Sequence, residues 1–272
     1  MRVDLHVHSL FSDGSQHPME IVQAAMKREV SILSICDHSS IDAYDELLSA
    51  CKSNNIKAVL GVELDAKWED EDFHVLAYNF NRENPQIIEL IRLQHDNSEA
   101  ECENIVTAMS RDYPRMSLED YRSYNPPKKG GWKYIHYAVE KRVVQKYEEA
   151  SFLFGKYFKP SPRTLKLSEF CEIVDSAGGV PILAHPGYIY NRNPDEYQNV
   201  LESMLDCGIR GIECYYPSHS LDAIKHSVEF CKRNNLCITA GCDCHGEYDK
   251  SDGFTVGGMD VGPDLLSLKG II

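Results

Sequence analysis

Positive charge is scarce in this chain. Its 28 lysines and arginines face 42 aspartates and glutamates, a formal net charge of −14. Such a chain repels polyanions at long range, so a basic surface for duplex nucleic acid is not expected. If the substrate is a phosphate ester, metal ions and a few local cations must overcome that field. No apolar run is long enough to cross a bilayer, which argues against a membrane partner. Nothing at Met1-Arg2-Val3-Asp4 reads as a secretion signal. Internal repeats and low-complexity segments are absent too. Cysteine is not scarce: there are 10, scattered along the chain. Cys36, Cys171, Cys214 and Cys237 lie in apolar runs, where a free thiol behaves as a small hydrophobe. A reducing cytoplasm is the expected location.

The 272 residues, 43% of them hydrophobic, suffice for one large domain or a domain with an insertion. Strand and helix alternate at first. Strands are expected at Arg2–His8, Ser31–Cys36, Lys57–Leu64 and Phe73–Phe80, with helices at Met19–Arg28 and Asp42–Asn54. From Asn84 to Phe158 the pattern turns helical: Pro85–Arg111, Leu118–Tyr124, Tyr134–Tyr147 and Glu149–Phe158. Pro160-Ser161-Pro162 closes that block. Alternation resumes with helices at Leu167–Ala177, Glu196–Cys207 and Leu221–Asn234, and strands at Val180–Ala184, Gly211–Tyr215 and Leu236–Ala240. Repeated βα units argue for a parallel sheet or barrel. The expected division is a barrel domain of residues 1–82 and 163–272, with a helical cap of residues 83–162 inserted.

The strand ends carry the chemistry. The first gives His6, His8 and then Asp13; the second gives His38; the third gives Glu63; the fourth opens on His74. After the insertion come His185, then Asp243 and His245 at the last strand. In a parallel barrel the C-terminal strand ends share one face, so these side chains would converge. His6 and His8 are two apart on a strand and point to one side, as do Asp243 and His245. Imidazole with carboxylate suits zinc, manganese or iron; calcium and magnesium prefer oxygen alone. Singly, each histidine is more often a satisfied core residue than a ligand. Together, unpaired buried imidazoles and carboxylates would cost several kcal/mol, on the order expected for uncompensated burial, unless metal offsets it. His17, His95 and His226 fall outside the pattern and are read as surface or helix-face residues.

Asp4-Leu5-His6-Val7-His8-Ser9 with Ser12-Asp13-Gly14 resembles the opening motif of the PHP (polymerase and histidinol phosphatase) family. Cys36-Asp37-His38, Gly61-Val62-Glu63-Leu64 with Phe73-His74-Val75-Leu76, Ala184-His185-Pro186-Gly187 and Gly241-Cys242-Asp243-Cys244-His245-Gly246 resemble its later motifs, in family order. The likeness is nearest to the branch that hydrolyses nucleoside 3′,5′-bisphosphates and trims oligoribonucleotides. It implies an α/β fold, a distorted (β/α)7 barrel with a helical insertion. It also implies three divalent ions (Mn, Fe or Zn): one on His6, His8, Glu63 and Asp243, one on Glu63, His74 and His185, one on Asp13, His38 and His245. Where relatives carry Gly-Arg-Pro-His, this chain has Gly131-Trp132-Lys133-Tyr134-Ile135-His136, so Lys133 stands near the missing arginine.

The implied reaction is in-line attack on phosphorus by a metal-bridging hydroxide. Asp243 and His219 are the candidate catalytic groups, His219 as donor to the leaving alkoxide, and Lys133, His136 and His219 the candidate phosphate contacts. Trp132, Tyr134 and Tyr137 are candidates to stack on a base. The expected partner is a small phosphorylated substrate, a nucleotide first, with histidinol phosphate or a sugar phosphate as the alternative. A non-catalytic metal-binding module is a third reading, and a carbon–nitrogen hydrolase a fourth. Cys242 and Cys244 read as small residues packing beside the last strand.

Overall fold

The computed structural model describes residues 1–159, 164–249 and 251–272. The Pro160-Ser161-Pro162 break and the expected domain boundary after residue 162 lie outside them. Seven strands form one sheet, in sequence order: β1 (Arg2–Asp4), β2 (Val30–Ile35), β3 (Lys57–Trp68), β4 (Glu71–Tyr78), β5 (Val180–Leu183), β6 (Gly211–Tyr215) and β7 (Cys237–Ala240). The described residues hold ten α-helices: α1 (Pro18–Lys27), α2 (Tyr44–Ser53), α3 (Pro85–Asp112), α4 (Leu118–Ser123), α5 (Lys133–Glu140), α6 (Ser151–Tyr157), α7 (Leu167–Ser176), α8 (Gly187–Arg192), α9 (Tyr197–Asp206) and α10 (Leu221–Arg233).

The expectation of a parallel sheet or barrel needs correction at one strand. β3 pairs with β4, and β4 with β5, antiparallel; the other pairs are parallel. The reason is length. β3 runs on to Trp68 and β4 begins at Glu71, so two residues join them. A parallel pair needs a crossover of a dozen residues or more, whereas two residues make a hairpin. Glu69 turns it with φ +53°. In this register Gly61, Glu63 and Asp65 stand opposite Tyr78, Leu76 and His74, all on one face. His74 therefore reaches the same end of the sheet as Glu63 although β4 runs backwards.

β1 is shorter than expected, but the chain beyond it stays extended. Leu5 N–H donates to Ala240 O (2.9 Å), Cys36 N–H to Val7 O (2.8 Å), Asp243 N–H to His6 O (2.7 Å) and His8 N–H to Cys244 O (3.0 Å). His6 and His8 are thus held between the continuations of β2 and β7.

Val3, Leu5, Cys36, Leu76, Tyr78 and Ile182 fill the layer beneath the histidines. Gly61 is needed there: a Cβ would lie 2.5 Å from both Ser34 Oγ and Cys36 Sγ. A second cluster packs the sheet against α7, α9 and α10, and a third packs it against α1 and α2. All ten cysteines are free thiols; Cys242 and Cys244 belong to the α1–α2 cluster.

The segment from α3 to α6 has its own apolar cluster, including Ile105, Met109, Tyr121, Tyr134, Tyr137 and Leu153. The expected helix Tyr134–Tyr147 is cut at Glu140. Arg142 turns left-handed (φ +58°), its N–H bonds Val139 O, and Val143 N–H bonds Ala138 O. That paired closure ends a helix, and the β-branched Val143-Val144 that follows does not restart one. No described helix is long and apolar enough to cross a membrane.

Candidate metal centre

Glu63 is the hub. It is 1% exposed, and its two oxygens face different sets of imidazoles. Oε2 lies 3.2, 3.1 and 3.4 Å from Nε2 of His6, His8 and His38. Oε1 lies 3.0 Å from His74 Nδ1 and 3.1 Å from His185 Nε2. Asp243 Oδ1 adds to the first set, 2.9 Å from His8 Nε2. On the far side of His8, Asp13 Oδ1 is 3.2 Å from its Nδ1, and Asp13 Oδ2 is 3.1 Å from His245 Nε2. The His8 and His245 rings stack at 4.2 Å. Segments beyond the ends of β1, β2, β5 and β7, with Glu63 and His74 from within the β3–β4 hairpin, thus bring all nine candidate ligands to one place.

Among the described residues, three groups have donor atoms close enough to share an ion: His6, His8, Glu63 and Asp243; His8, Asp13, His38 and His245; and His38, Glu63 and His74. The first equals the expected set. The second is the expected set with His8 added. In the third His38 stands where His185 was expected, although His185 keeps its contact with Glu63 Oε1.

The donor chemistry fits divalent ions. His6 Nδ1 faces Glu213 Oε1 at 3.0 Å, which leaves Nε2 as the inward atom, 3.1 Å from His8 Nε2. His8 Nδ1, His74 Nδ1 and Asp243 Oδ1 are buried without a hydrogen-bond partner. Carboxylates sit about 3 Å from these imidazoles, yet none meets them with hydrogen-bond geometry. Buried polar atoms that converge without bonding are costly unless a cation takes their lone pairs.

Charge is arranged to match. Burial opposes ionisation of Glu63, but His6, His74 and His38 hold it well below the usual carboxylate range. Asp13 and Asp243 are depressed the same way, against burial, chiefly by His245 and His6 respectively. Burial also opposes charge on His74, but Glu63 prevails and lifts it to about 9. His38 is the exception: burial pushes it down to about 4.

Seven of the nine, all but the fully buried His6 and His8, border a cleft of about 470 Å³ whose other wall comes from the helical block: Trp132, Tyr134, Ile135, Phe154 and Phe158. Trp132 stands 5.8 Å from the His38 ring. Trp132 and Tyr134 were expected to face substrate. Tyr137 was too, but its hydroxyl bonds Asp120 Oδ2 (2.9 Å) within the block.

A profile of the PHP domain matches residues 4–216. The chain belongs to the PHP family. Among curated PHP relatives, a 5′-3′ exoribonuclease of Haemophilus influenzae is 24% identical over all of this chain and 97% of its own length. A 3′,5′-nucleoside bisphosphate phosphatase of Chromobacterium violaceum is 22% identical over 96% of this chain and 90% of its own. A solved structure assigned as a metal-dependent phosphoesterase, from Bifidobacterium adolescentis, superposes with a TM-score of 0.79 at 23% identity, covering 98% and 94% of the two chains. The protein is accordingly a hydrolase of phosphoester bonds, and its α/β sheet is that of PHP phosphoesterase structures.

Three expected substrate contacts lie elsewhere. Lys133 Nζ sits over the Tyr121 ring at 4.7 Å and reaches Arg122 O. The aromatic face and carbonyl hold it inside the block, away from the cleft. His136 Nε2 lies 2.9 Å from Gly130 O, wedged between Tyr147 and Tyr248. His219 is 9% exposed, with Nδ1 at 3.0 Å from Cys214 O and Nε2 accepting Gly187 N–H at 2.9 Å. Both its nitrogens are occupied, and burial holds its pKa down. It braces the turn after His185 rather than facing a leaving group. Lys133→Ala is therefore expected to change kcat/KM by less than about threefold and to cost about 0.5–1 kcal/mol of stability through the lost cation–π contact. Steady-state kinetics and urea denaturation read both.

The sequence pattern assigns no site role to Glu213, Tyr216, Asp65, Phe154 or Phe158. Tyr216 Oη donates to Asp243 Oδ2 at 2.8 Å, and Asp65 Oδ1 lies 3.4 Å from His74 Nε2. The spacing of Phe154 and Phe158, four apart on a helix, was the one available signal.

Proposed function

We propose that this protein hydrolyses a phosphate ester of a nucleotide or short oligonucleotide at a centre of three divalent ions. The ions would be manganese, iron or zinc, on His6, His8, Glu63 and Asp243; on Glu63, His74 and His185 or His38; and on Asp13, His38 and His245. The observation that carries the reading is Glu63, whose two oxygens face two separate imidazole sets at the floor of an aromatic-walled cleft. Divalent ions held there would lower the pKa of a coordinated water and neutralise phosphoryl charge.

The chain's own residues do the rest. Asp243 and Glu63 stay ionised and hold the site anionic toward metal. His38, kept neutral by burial, presents a lone pair. Trp132, Phe154 and Phe158 offer ring faces to a base, contacts worth about 1–3 kcal/mol per base in single-strand binding proteins. We further read the sheet as a distorted (β/α)7 barrel closed by the hydrogen bonds between the chain beyond β1 and the end of β7, with residues 83–162 as its cap. The names of the two curated relatives support a nucleotide substrate.

The test is a substrate series with manganese-loaded protein: adenosine 3′,5′-bisphosphate, a short oligoribonucleotide, histidinol phosphate and ribose 5-phosphate. A nucleotide should exceed the others by about tenfold or more in kcat/KM, the worth of one stacked base. Preference for histidinol phosphate or the sugar phosphate would overturn the nucleotide reading and leave the metal centre standing.

A further inference from the structure

β6 supplies none of the nine candidate ligands, yet side chains on it and on its continuation touch three of them. Glu213, on β6, is fully buried. Its Oε1 lies 3.0 Å from His6 Nδ1, and its Oε2 accepts the backbone N–H of His185 at 2.9 Å. The strand's continuation adds Tyr216, which holds Asp243 Oδ2. Two of these ligands sit on strained backbone: φ is +30° at His185 and +50° at Asp243, a region that residues with a side chain seldom occupy. Space has been kept for Glu213 as well. A Cβ on Gly241 would stand 2.4 Å from its Oε1 and 2.2 Å from His6 Cβ.

The geometry points to Glu213 as a positioning residue that serves two ligand sets at once. Through His6 it fixes the tautomer, keeping the proton on Nδ1 so that Nε2 faces Glu63 and His8. Through the His185 N–H it holds the left-handed backbone that aims that imidazole at Glu63 Oε1. Neither act touches substrate. A carboxylate suits this position because it accepts from two donors at once. An amide has one acceptor oxygen, and its NH₂ would confront the second N–H.

This inference rests on the metal-centre reading, and the test separates the two. Metal affinity is measured by chelator competition with zinc and with manganese, for the parent, Glu213→Gln and Glu213→Ala. Partners of ligating histidines are worth about 10–100-fold in affinity. Glu213→Gln is expected near the lower figure and Glu213→Ala near the upper. A purely structural role would lower the melting temperature of the metal-free variants and leave the affinity of the folded protein unchanged; that result overturns the proposal. A parent protein that binds no metal would instead overturn the centre itself. Should both variants fail to fold, nitrogen NMR of histidine-labelled, zinc-loaded parent decides: His6 must carry its proton on Nδ1, and a proton on Nε2 overturns the proposal.

Discussion

Glu63→Gln is expected to lower kcat/KM by about 10³-fold or more, with loss of bound metal. The substitution keeps the volume of the side chain and removes its charge, so packing beneath the site is untouched. What changes is electrostatic. Five imidazoles stand within 3.4 Å of the two carboxylate oxygens. An amide can accept at one oxygen only, so one imidazole set loses its partner whichever way it is turned. Removing one preorganised electrostatic group from an active site costs about 10²–10³ in rate, and here a shared ligand is lost as well. Leaving buried imidazoles without their counter-charge also costs stability, about 3–5 kcal/mol for a broken buried pair. Kinetics with manganese in excess, elemental analysis and denaturant titration read the three effects. A variant with full metal content and more than about a tenth of parental activity would remove Glu63 from the centre, since losing one such group costs at least about 10².

That residue was legible in the sequence because the apolar run read as a strand ending at Leu64 closes on it, although β3 runs on to Trp68. A carboxylate or imidazole closing an apolar β run has little reason to be there except to face its counterparts. His6 with His8, and Asp243 with His245, added the two-residue spacing that puts side chains on one face. The direction of β4 was legible in principle, since residues 65–72 cannot hold a crossover helix, but alternation elsewhere suggested parallel strands throughout. Glu213 was hidden for another reason. It lies mid-strand, and its partners are 207 and 28 positions away; only the three-dimensional register of β5, β6 and β7 brings them together. Lys133 misled because a lysine beside aromatics has two uses. The Tyr121 face, twelve positions earlier in the chain, claimed it. The cut in α5 depended on Arg142 adopting a left-handed conformation, which no local propensity forecasts.

Stripping the metal is expected to do more than stop turnover: it should change the shape of the stability–pH curve. Chelation should cut activity by at least about 10²-fold, with recovery on adding manganese, because the chemistry needs both charge neutralisation and an activated water. In the metal-free protein the carboxylates are countered only by protonated imidazoles. His74, raised to about 9 in the folded chain, gives stability that is complete below its unfolded value near 6.5 and is lost as pH rises through 9. His6 and His8, held above their ordinary value by carboxylates that outweigh burial, act in the same direction. His38, depressed to about 4, acts oppositely: its stability is present above 6.5 and is lost as pH falls toward 4. Asp13, Glu63 and Asp243, all depressed, add further loss in acid. The metal-free protein should therefore be most stable near pH 6–7, falling on both sides. With metal bound the alkaline limb reverses. Protons compete with the ion for each imidazole, so affinity grows with pH, and binding at about 1,000 times Kd adds about 4 kcal/mol. Thermal melting from pH 5 to 9, with and without manganese, should give two curves that diverge above pH 7. Parallel curves would mean that these imidazoles do not hold the ion.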